Sequence, residues 1–590
     1  MKETGRNNRG AKSVDRLRVY RHQLGMRFNP QMLKTEIKKM PYLRMMRSML
    51  QRTVFVILVL CAASVNGAAQ TRGSSFTNPA LAGDYPDPSV IRVGADYWAT
   101  ATSSEWAPEF PILHSRDLVN WRVVGAVFQQ RPAWSIGNYW APEIAEDRGR
   151  FYIYYTAKKK DGPLCVAVAT ARRPQGPYTD HGPLVCQEVG SIDGFHLRDE
   201  RGRRYLLWKE DGNSKSVATP IWAQPLSPDG TKLTGEKQEL IRNDQAWEKH
   251  ATLPYGDLVE GPAIVRRNGW FYMFYSGNFC CARECNYQVG VARSRKLLGP
   301  WEKNPANPIL TGNDAWKCPG HGTIVSDARG RDYLLYHAMD AKDFVYVGRQ
   351  ALLDQVQWGA DGWPTVNEGR GPSNRAVSPH GVRETNAEYT FFDDFNAPRL
   401  QPGWQWPHAN VPVIRTERTR GGRLMLMPTE EQATNPIGAV VARTTTVGDY
   451  TATTLIDTRT QKPGALAGLS AYGDAENALG ASVNGRNVVV WRREKNEHKT
   501  LATVADAVGS PLVYLRMTAD DGHKYRFAVS ADGRKWKDVG DELNGEYLPP
   551  WDRGVRVALT AGGVAGTAAK FEWVRIEPVR SARRTTARVE

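Results

Sequence analysis

The stretch Gly149-Arg150-Phe151-Tyr152-Ile153-Tyr154 decides the fold, because it is one of five versions of a single phrase. A glycine turn leads into an aromatic and aliphatic run at Gly94-Ala-Asp-Tyr-Trp98, at Gly149, at Gly202-Arg-Arg-Tyr-Leu-Leu207, at Gly269-Trp-Phe-Tyr-Met-Phe274 and at Gly330-Arg-Asp-Tyr-Leu-Leu335. The glycines stand 55, 53, 67 and 61 residues apart. Aromatic and β-branched runs opened by glycine turns read as strands. Units of this size recurring at a steady period predict a repeat architecture, here a five-bladed β-propeller whose blades are small antiparallel sheets. A second phrase keeps the same register: Ser115-Arg-Asp-Leu-Val-Asn-Trp121, Ala171-Arg-Arg-Pro-Gln-Gly-Pro-Tyr178 and Ser294-Arg-Lys-Leu-Leu-Gly-Pro-Trp301 each read as the turn between the outer strands of a blade. The rival is a sandwich with chance likeness between hairpins, and five spaced copies weigh against it.

About ten residues before each aromatic strand lies a short segment expected to be the innermost strand of its blade. These segments carry Asp87, Glu143, Asp193, Glu260 and His321. Each blade is therefore expected to send one ionisable side chain towards a shared funnel. Carboxylates confined together shift one another's pKa, so one holds a proton at neutral pH while another stays ionised. Acid/base hydrolysis of a glycosidic bond requires that division.

Outward from the repeat, residues 367–388 are polar and rich in Gly and Pro and read as a linker. Period-2 and apolar runs resume in residues 389–579, at Arg423-Leu-Met-Leu-Met427, Val488-Val-Val-Trp491 and Phe571-Glu-Trp-Val-Arg-Ile576. That half reads as a two-sheet β-sandwich. The fold class is thus all-β, a propeller over 74–366 followed by a sandwich, with 580–590 as a tail.

The other end of the chain differs in kind. Thr53–Ala63 is apolar, preceded by Arg44, Arg47 and Arg52 and followed by Gly67-Ala68-Ala69, so residues 1–69 read as a basic leader ending in a signal peptide, with an uncleaved anchor as the rival. Met45, Met46 or Met49 is an alternative start. The leader also explains the charge: it holds 14 Lys/Arg and 3 Asp/Glu, a net +11 of the chain's +16, leaving an ordinary +5. No nucleic-acid partner is implied, and no membrane partner once the signal is cleaved. With 41% hydrophobic and 24% charged residues among 590, disorder and fibrous structure are excluded. Cleavage leaves six cysteines, an even number that favours disulfides in an oxidising compartment. Their pairing stays open at this stage, as does metal binding by Cys280, Cys281 and Cys285.

The phrases Asn78-Pro-Ala-Leu-Ala-Gly-Asp-Tyr-Pro-Asp-Pro-Ser-Val90, Trp140-Ala-Pro-Glu143, Ser191-Ile-Asp-Gly-Phe195, Glu260-Gly-Pro262, Gly320-His-Gly322 and Gly348-Arg-Gln-Ala-Leu-Leu-Asp354, in this order, resemble glycoside hydrolase family 43. The resemblance covers about residues 76–366. It implies a five-bladed propeller of inverting enzymes acting on β-D-xylosides, α-L-arabinofuranosides and related plant polysaccharides. The second half resembles the concanavalin-like jelly roll appended to xylosidase and arabinofuranosidase members. Carried over by motif, Asp87 is the general base, Glu260 the general acid and Asp193 the group that raises the acid's pKa. The working carboxyls are expected ~6.5–9.5 Å apart. Trp106, Trp140, Phe195 and Arg349 are expected to contact substrate, and Glu143 falls at a place where the family varies.

No cofactor is required for that chemistry. A structural calcium ion is left open at His321, and another at Asp394 where the sandwich begins, although a lone histidine is a poor calcium ligand. The substrate is expected to be an oligo- or polysaccharide containing xylose or arabinose, met outside the cytoplasm in the periplasm or medium. Endo-arabinanase and galactosidase are the enzymatic alternatives. A carbohydrate-binding protein without catalysis is the alternative of another class.

Overall fold

The computed structural model describes residues 75–379, 389–418, 421–432 and 434–579. The leader and the tail lie outside these residues. Among them stand five four-stranded antiparallel sheets, each made of four strands consecutive in the chain apart from one short ribbon strand in the first. The first blade comprises Ser89–Val93, Asp96–Thr100, Glu109–Ser115 and Trp121–Phe128, and the second Ser135–Asp147, Arg150–Lys159, Leu164–Ala171 and Thr179–Val185. The third is Ser191–Arg198, Arg204–Glu210, Ile221–Pro225 and Gln238–Ile241. The fourth is Val259–Arg267, Trp270–Gly277, Gln288–Ser294 and Glu302–Lys303, and the fifth Trp316–Ser326, Asp332–Asp340, Gln350–Trp358 and Pro364–Val366.

Every glycine–aromatic phrase supplies the second strand of its blade. The first strands touch one another in a closed ring, from the first blade round to the fifth and back. Aromatic alternation puts one face of each second strand into the seam with the next blade. Tyr272 and Phe274 of the fourth blade, for example, pack with Leu334 and Tyr336 of the fifth. Burying an aromatic side chain in such a seam contributes roughly 1.5–3 kcal/mol.

The ring is tied by Ser75–Thr77, which pairs antiparallel with Arg375–Val377 and buries Phe76. Part of the stretch read as linker is therefore a strand. Its polar composition hid this, because an outer two-stranded ribbon needs few apolar side chains.

Phe391–Asp393 through Ala569–Pro578 form two stacked sheets, one of nine strands and one of six, around a single apolar core that includes Leu424, Val441, Leu469, Val490, Leu515 and Phe571. The sandwich is joined to the propeller by more than the chain. Trp406–Pro407 pairs with Trp106–Ala107 as a short ribbon. Arg553 Nε forms an ion pair with Asp84 Oδ2 at 2.8 Å, both side chains buried, and the Arg556 guanidinium lies 4.2 Å from the centre of the Trp106 ring. Leaving a buried charge without its partner costs about 3–5 kcal/mol, so these pairs fix how the sandwich seats on the propeller. No helix among the described residues is long and apolar enough to cross a membrane.

Candidate active site

The innermost strands share a local irregularity. Asp87, Ala141, Asp193, Gly261 and His321 all have positive φ, at 52°, 41°, 60°, 60° and 38°. In the second to fifth blades the pairing register shifts there, as a β-bulge. Each of these residues is followed by Pro or Gly, which suits a backbone leaving the ladder. Left-handed backbone is costly for Asp, Ala and His and collects at functional sites. At Gly261 a side chain is also excluded by space, since an added Cβ would lie 2.9 Å from the His321 ring.

The left-handed residues place Asp87, Asp193 and His321 at the hub, with Glu260 one residue before the fourth of them. All four line one cavity of about 720 Å³, a size suited to a small ligand. Glu143 does not join them. It stands two residues past its bulge, level with Ser89, Phe195 and Thr323, and lines a narrow space deeper along the axis. Enclosure there pushes its carboxyl up to about 8. The expectation of one funnel group per blade is thus corrected at the second blade by two residues of register.

The three carboxyls meet different surroundings. Asp87 accepts hydrogen bonds from Arg349 Nη1 at 2.9 Å and from Thr102 Oγ1 at 2.6 Å, and His321 Nδ1 lies 3.6 Å away. Its backbone N–H donates to His337 Nδ1 at 3.1 Å. Burial opposes its ionisation, yet Arg349 and His321 outweigh burial and hold the carboxyl well below the usual range. Asp193 has no such cation in contact. His321 Nδ1 is 3.9 Å from it, and the Gly261 N–H donates to its Oδ2 at 2.9 Å. Burial, with the negative charge of Glu260, pushes Asp193 up to about 7. Glu260 accepts from Tyr287 Oη at 2.8 Å and from Lys209 Nζ at 2.7 Å. Lys209 is itself buried and also bonds Asp211 and Asn213. One site therefore holds one carboxylate, Asp87, fixed in the ionised form and another, Asp193, that keeps its proton up to near neutrality.

Among the other expected contacts, Arg349 and Trp140 line the cavity. Trp140 Nε1 and Arg349 Nε are buried with no hydrogen-bond partner among the described residues. Trp106 and Phe195 are corrections. Trp106 is 3% exposed and packs against Ile437, Tyr472 and Trp491 of the sandwich, because the jelly roll covers a face that the propeller alone would leave open. Phe195 points into the seam with Tyr205, Leu207 and Val259, since the bulge at Asp193 turns it away from the cavity.

Calcium fits neither expected position. Both oxygens of Asp394 accept hydrogen bonds from Asn396, and His321 offers one nitrogen between carboxylates already engaged. Calcium takes 6–8 oxygens, and no group of three or more His, Cys, Asp or Glu suited to a metal occurs among the described residues. The cysteines pair as Cys165–Cys186, Cys280–Cys281 and Cys285–Cys318.

Several residues of the site escaped the sequence reading. Tyr287, Lys209, His337 and Thr102 come from second strands and loops without a distinguishing local signal. Trp551 and Asp552 come from the sandwich. Trp551 is 52% exposed and meets Trp140 edge to face with ring centres 5.7 Å apart. Asp552 accepts from Ser104 Oγ at 2.7 Å, and its carbonyl accepts from Arg349 Nη2 at 3.2 Å. The available signal was an aromatic after Pro549-Pro550, a loop bearing a large exposed side chain.

A propeller hub with differently tuned carboxyls and a second domain at its rim defines a class of glycan-processing sites. Residues 76–364 match the model of glycosyl hydrolases family 43, and residues 392–577 match that of the beta-xylosidase C-terminal concanavalin A-like domain, so the chain belongs to family 43 and is a glycosidase of that family with the domain appended. It is 29% identical over 557 residues to a xylosidase/arabinosidase of Humicola insolens, covering 85% of this chain and 98% of that one. It is 25% identical over 550 residues to a non-reducing end alpha-L-arabinofuranosidase of Bacteroides ovatus, covering 88% and 98%. A GH43 protein of Bacillus licheniformis superposes with a TM-score of 0.71 at 25% identity, over 86% of this chain and all of that chain.

Proposed function

We propose that the protein is an exported, inverting, exo-acting glycoside hydrolase that releases xylose or arabinose from the ends of plant hemicellulose fragments. The observation that carries this is the opposite tuning of Asp87 and Asp193 within one cavity. In this reading Asp87, kept ionised by Arg349 and His321, takes a proton from water as the water attacks the anomeric carbon. Glu260 protonates the departing oxygen. Asp193 keeps a proton available to the pair, because two neighbouring carboxylates resist ionising together. Arg349 and Trp140 line the cavity where the sugar would lie. Trp551 and Asp552 close one side of the cavity, which favours chain ends over an open groove. The relatives' names support both pentoses and one supports end-wise action. The three disulfides support an oxidising compartment.

Initial rates on nitrophenyl β-xylopyranoside, α-arabinofuranoside and β-galactopyranoside test the assignment. Hydrolysis of a pentoside is expected to dominate; dominant galactoside hydrolysis would overturn the pentose reading, and no hydrolysis at all would favour a binding protein. Two further results are expected. Trp551→Ala raises KM about tenfold with kcat within about threefold, the loss of one stacking surface; an unchanged KM places the sandwich outside the substrate site.

The pH profile carries the second. Activity falls as pH rises through the region of 7 where Asp193 loses its proton. Asp193→Asn removes the carboxyl that titrates there, so the site no longer holds a proton near 7 and the alkaline limb moves about one unit or more towards acid. A limb that stays in place means Asp193 does not tune the acid.

A further inference from the structure

After the strand Trp270–Gly277 the chain runs through Asn278, Phe279, Cys280 and Cys281 before returning along Gln288–Ser294. Phe279, Cys280 and Cys281 line the same cavity as the three carboxyls. Cys280 is bonded to its immediate neighbour Cys281, closing a small ring through a single peptide unit. Such a ring has no free side-chain rotor. It carries two polarisable sulfurs with no hydrogen to donate, Cys280 the more open and Cys281 4% exposed, a surface suited to the C–H face of a sugar and not to its hydroxyls.

The ring is held from behind. The Cys285–Cys318 disulfide ties the end of this loop to the strand Trp316–Ser326 that bears His321. The Asn278 side chain donates to the carbonyls of Trp247 and Lys249. The Asn286 N–H donates to the Phe279 carbonyl at 2.9 Å. A surface fixed before binding loses little freedom when a ligand covers it.

Its position says which part of a substrate it meets. Cys280 packs against the cluster of Leu258, Tyr287 and Cys318, Tyr287 is the donor to Glu260, and both ring and Glu260 belong to the fourth blade. Trp140 belongs to the second blade, with the third between them, so the two surfaces bound different sides of the cavity. A general acid stands beside the oxygen that leaves, so apolar surface on its own blade faces the unit beyond the scissile bond.

We infer that Phe279 and the Cys280–Cys281 disulfide form the platform on which the leaving-group sugar rests and so select the substrate on that side. The inference rests on the hydrolase reading above. The test is made on Glu260→Gln protein, which keeps substrate intact, with and without Cys280→Ala and Cys281→Ala together. Calorimetry with xylobiose or arabinobiose is expected to show Kd weakened about tenfold, and with the monosaccharide less than about twofold. Equal weakening for both sugars, or none, overturns the platform.

A second measurement uses the native cysteines in case the double variant does not fold. Dithiothreitol opens the bond by exchange and is itself oxidised to its cyclic disulfide, leaving two thiols that iodoacetamide alkylates at Cys280 and Cys281. On the Glu260→Gln protein with its cysteines intact, bound disaccharide is expected to slow that labelling about fivefold or more, and monosaccharide is not. Unslowed labelling by a protein whose wild type hydrolyses pentosides removes the platform alone. A wild type that neither binds nor hydrolyses them removes the hydrolase reading and the platform with it.

Discussion

Glu260→Gln lowers turnover of xylobiose or arabinobiose by roughly 10³-fold while lowering that of a nitrophenyl pentoside by only about tenfold. Positioned proton transfer contributes about 10²–10⁴ in rate, and the full effect falls on a substrate whose leaving group is a poor one without a proton. Nitrophenolate departs unaided, so it needs the acid least. The substitution is mild for the fold, because Tyr287 Oη can still donate to the amide oxygen and Lys209 keeps Asp211 and Asn213. Initial rates on the two leaving groups, with the melting temperature as a control, separate the roles. Equal losses on both substrates would show that Glu260 is not the proton donor.

Asp87→Asn is expected to lower turnover by roughly 10³-fold on both substrates alike, because activating water is required whatever leaves. It also has a structural signature that Glu260→Gln lacks. Arg349 is 4% exposed and its Nη1 is bonded to Asp87. Neutralising the carboxylate strips a buried guanidinium of its nearest counter-charge, a loss of about 2–3 kcal/mol, at the low end because Asp84 and Asp552 remain nearby. Denaturant unfolding of wild type and variant measures this. Full stability with lost activity would mean that the Arg349 pair does not hold Asp87 ionised. Retained activity would remove Asp87 from the base role.

Much of this was legible in the sequence because blade repeats write themselves locally. The glycine–aromatic phrase needs only a turn and a strand that is buried on both faces, and all five copies stand as second strands. The innermost strands followed from counting back, and so did Asp87, Asp193 and Glu260 in one cavity. Counting failed where a bulge changes which way side chains point. Glu143 and Phe195 lie two residues past their bulges and face deeper into the fold, a consequence of backbone geometry that residue type does not reveal.

Trp106 failed for another reason. A tryptophan exposed on an isolated propeller is a plausible sugar platform, and only the docked sandwich turns it into core. The same docking brings Trp551 and Asp552 across more than 400 residues to the rim. Tyr287, Lys209 and His337 reach the carboxyls from loops and neighbouring strands, so their roles exist only in the folded ring.

In the proposed reaction Asp87 and Glu260 work as base and acid on opposite sides of one anomeric centre. Proton NMR of the first sugar released tests this most directly, read before mutarotation mixes the anomers. A β-D-xyloside should release α-D-xylose, and an α-L-arabinofuranoside should release β-L-arabinose. Initial release of the same anomer as in the substrate would mean a covalent intermediate, and would contradict the assignment of Asp87 as the base that activates water.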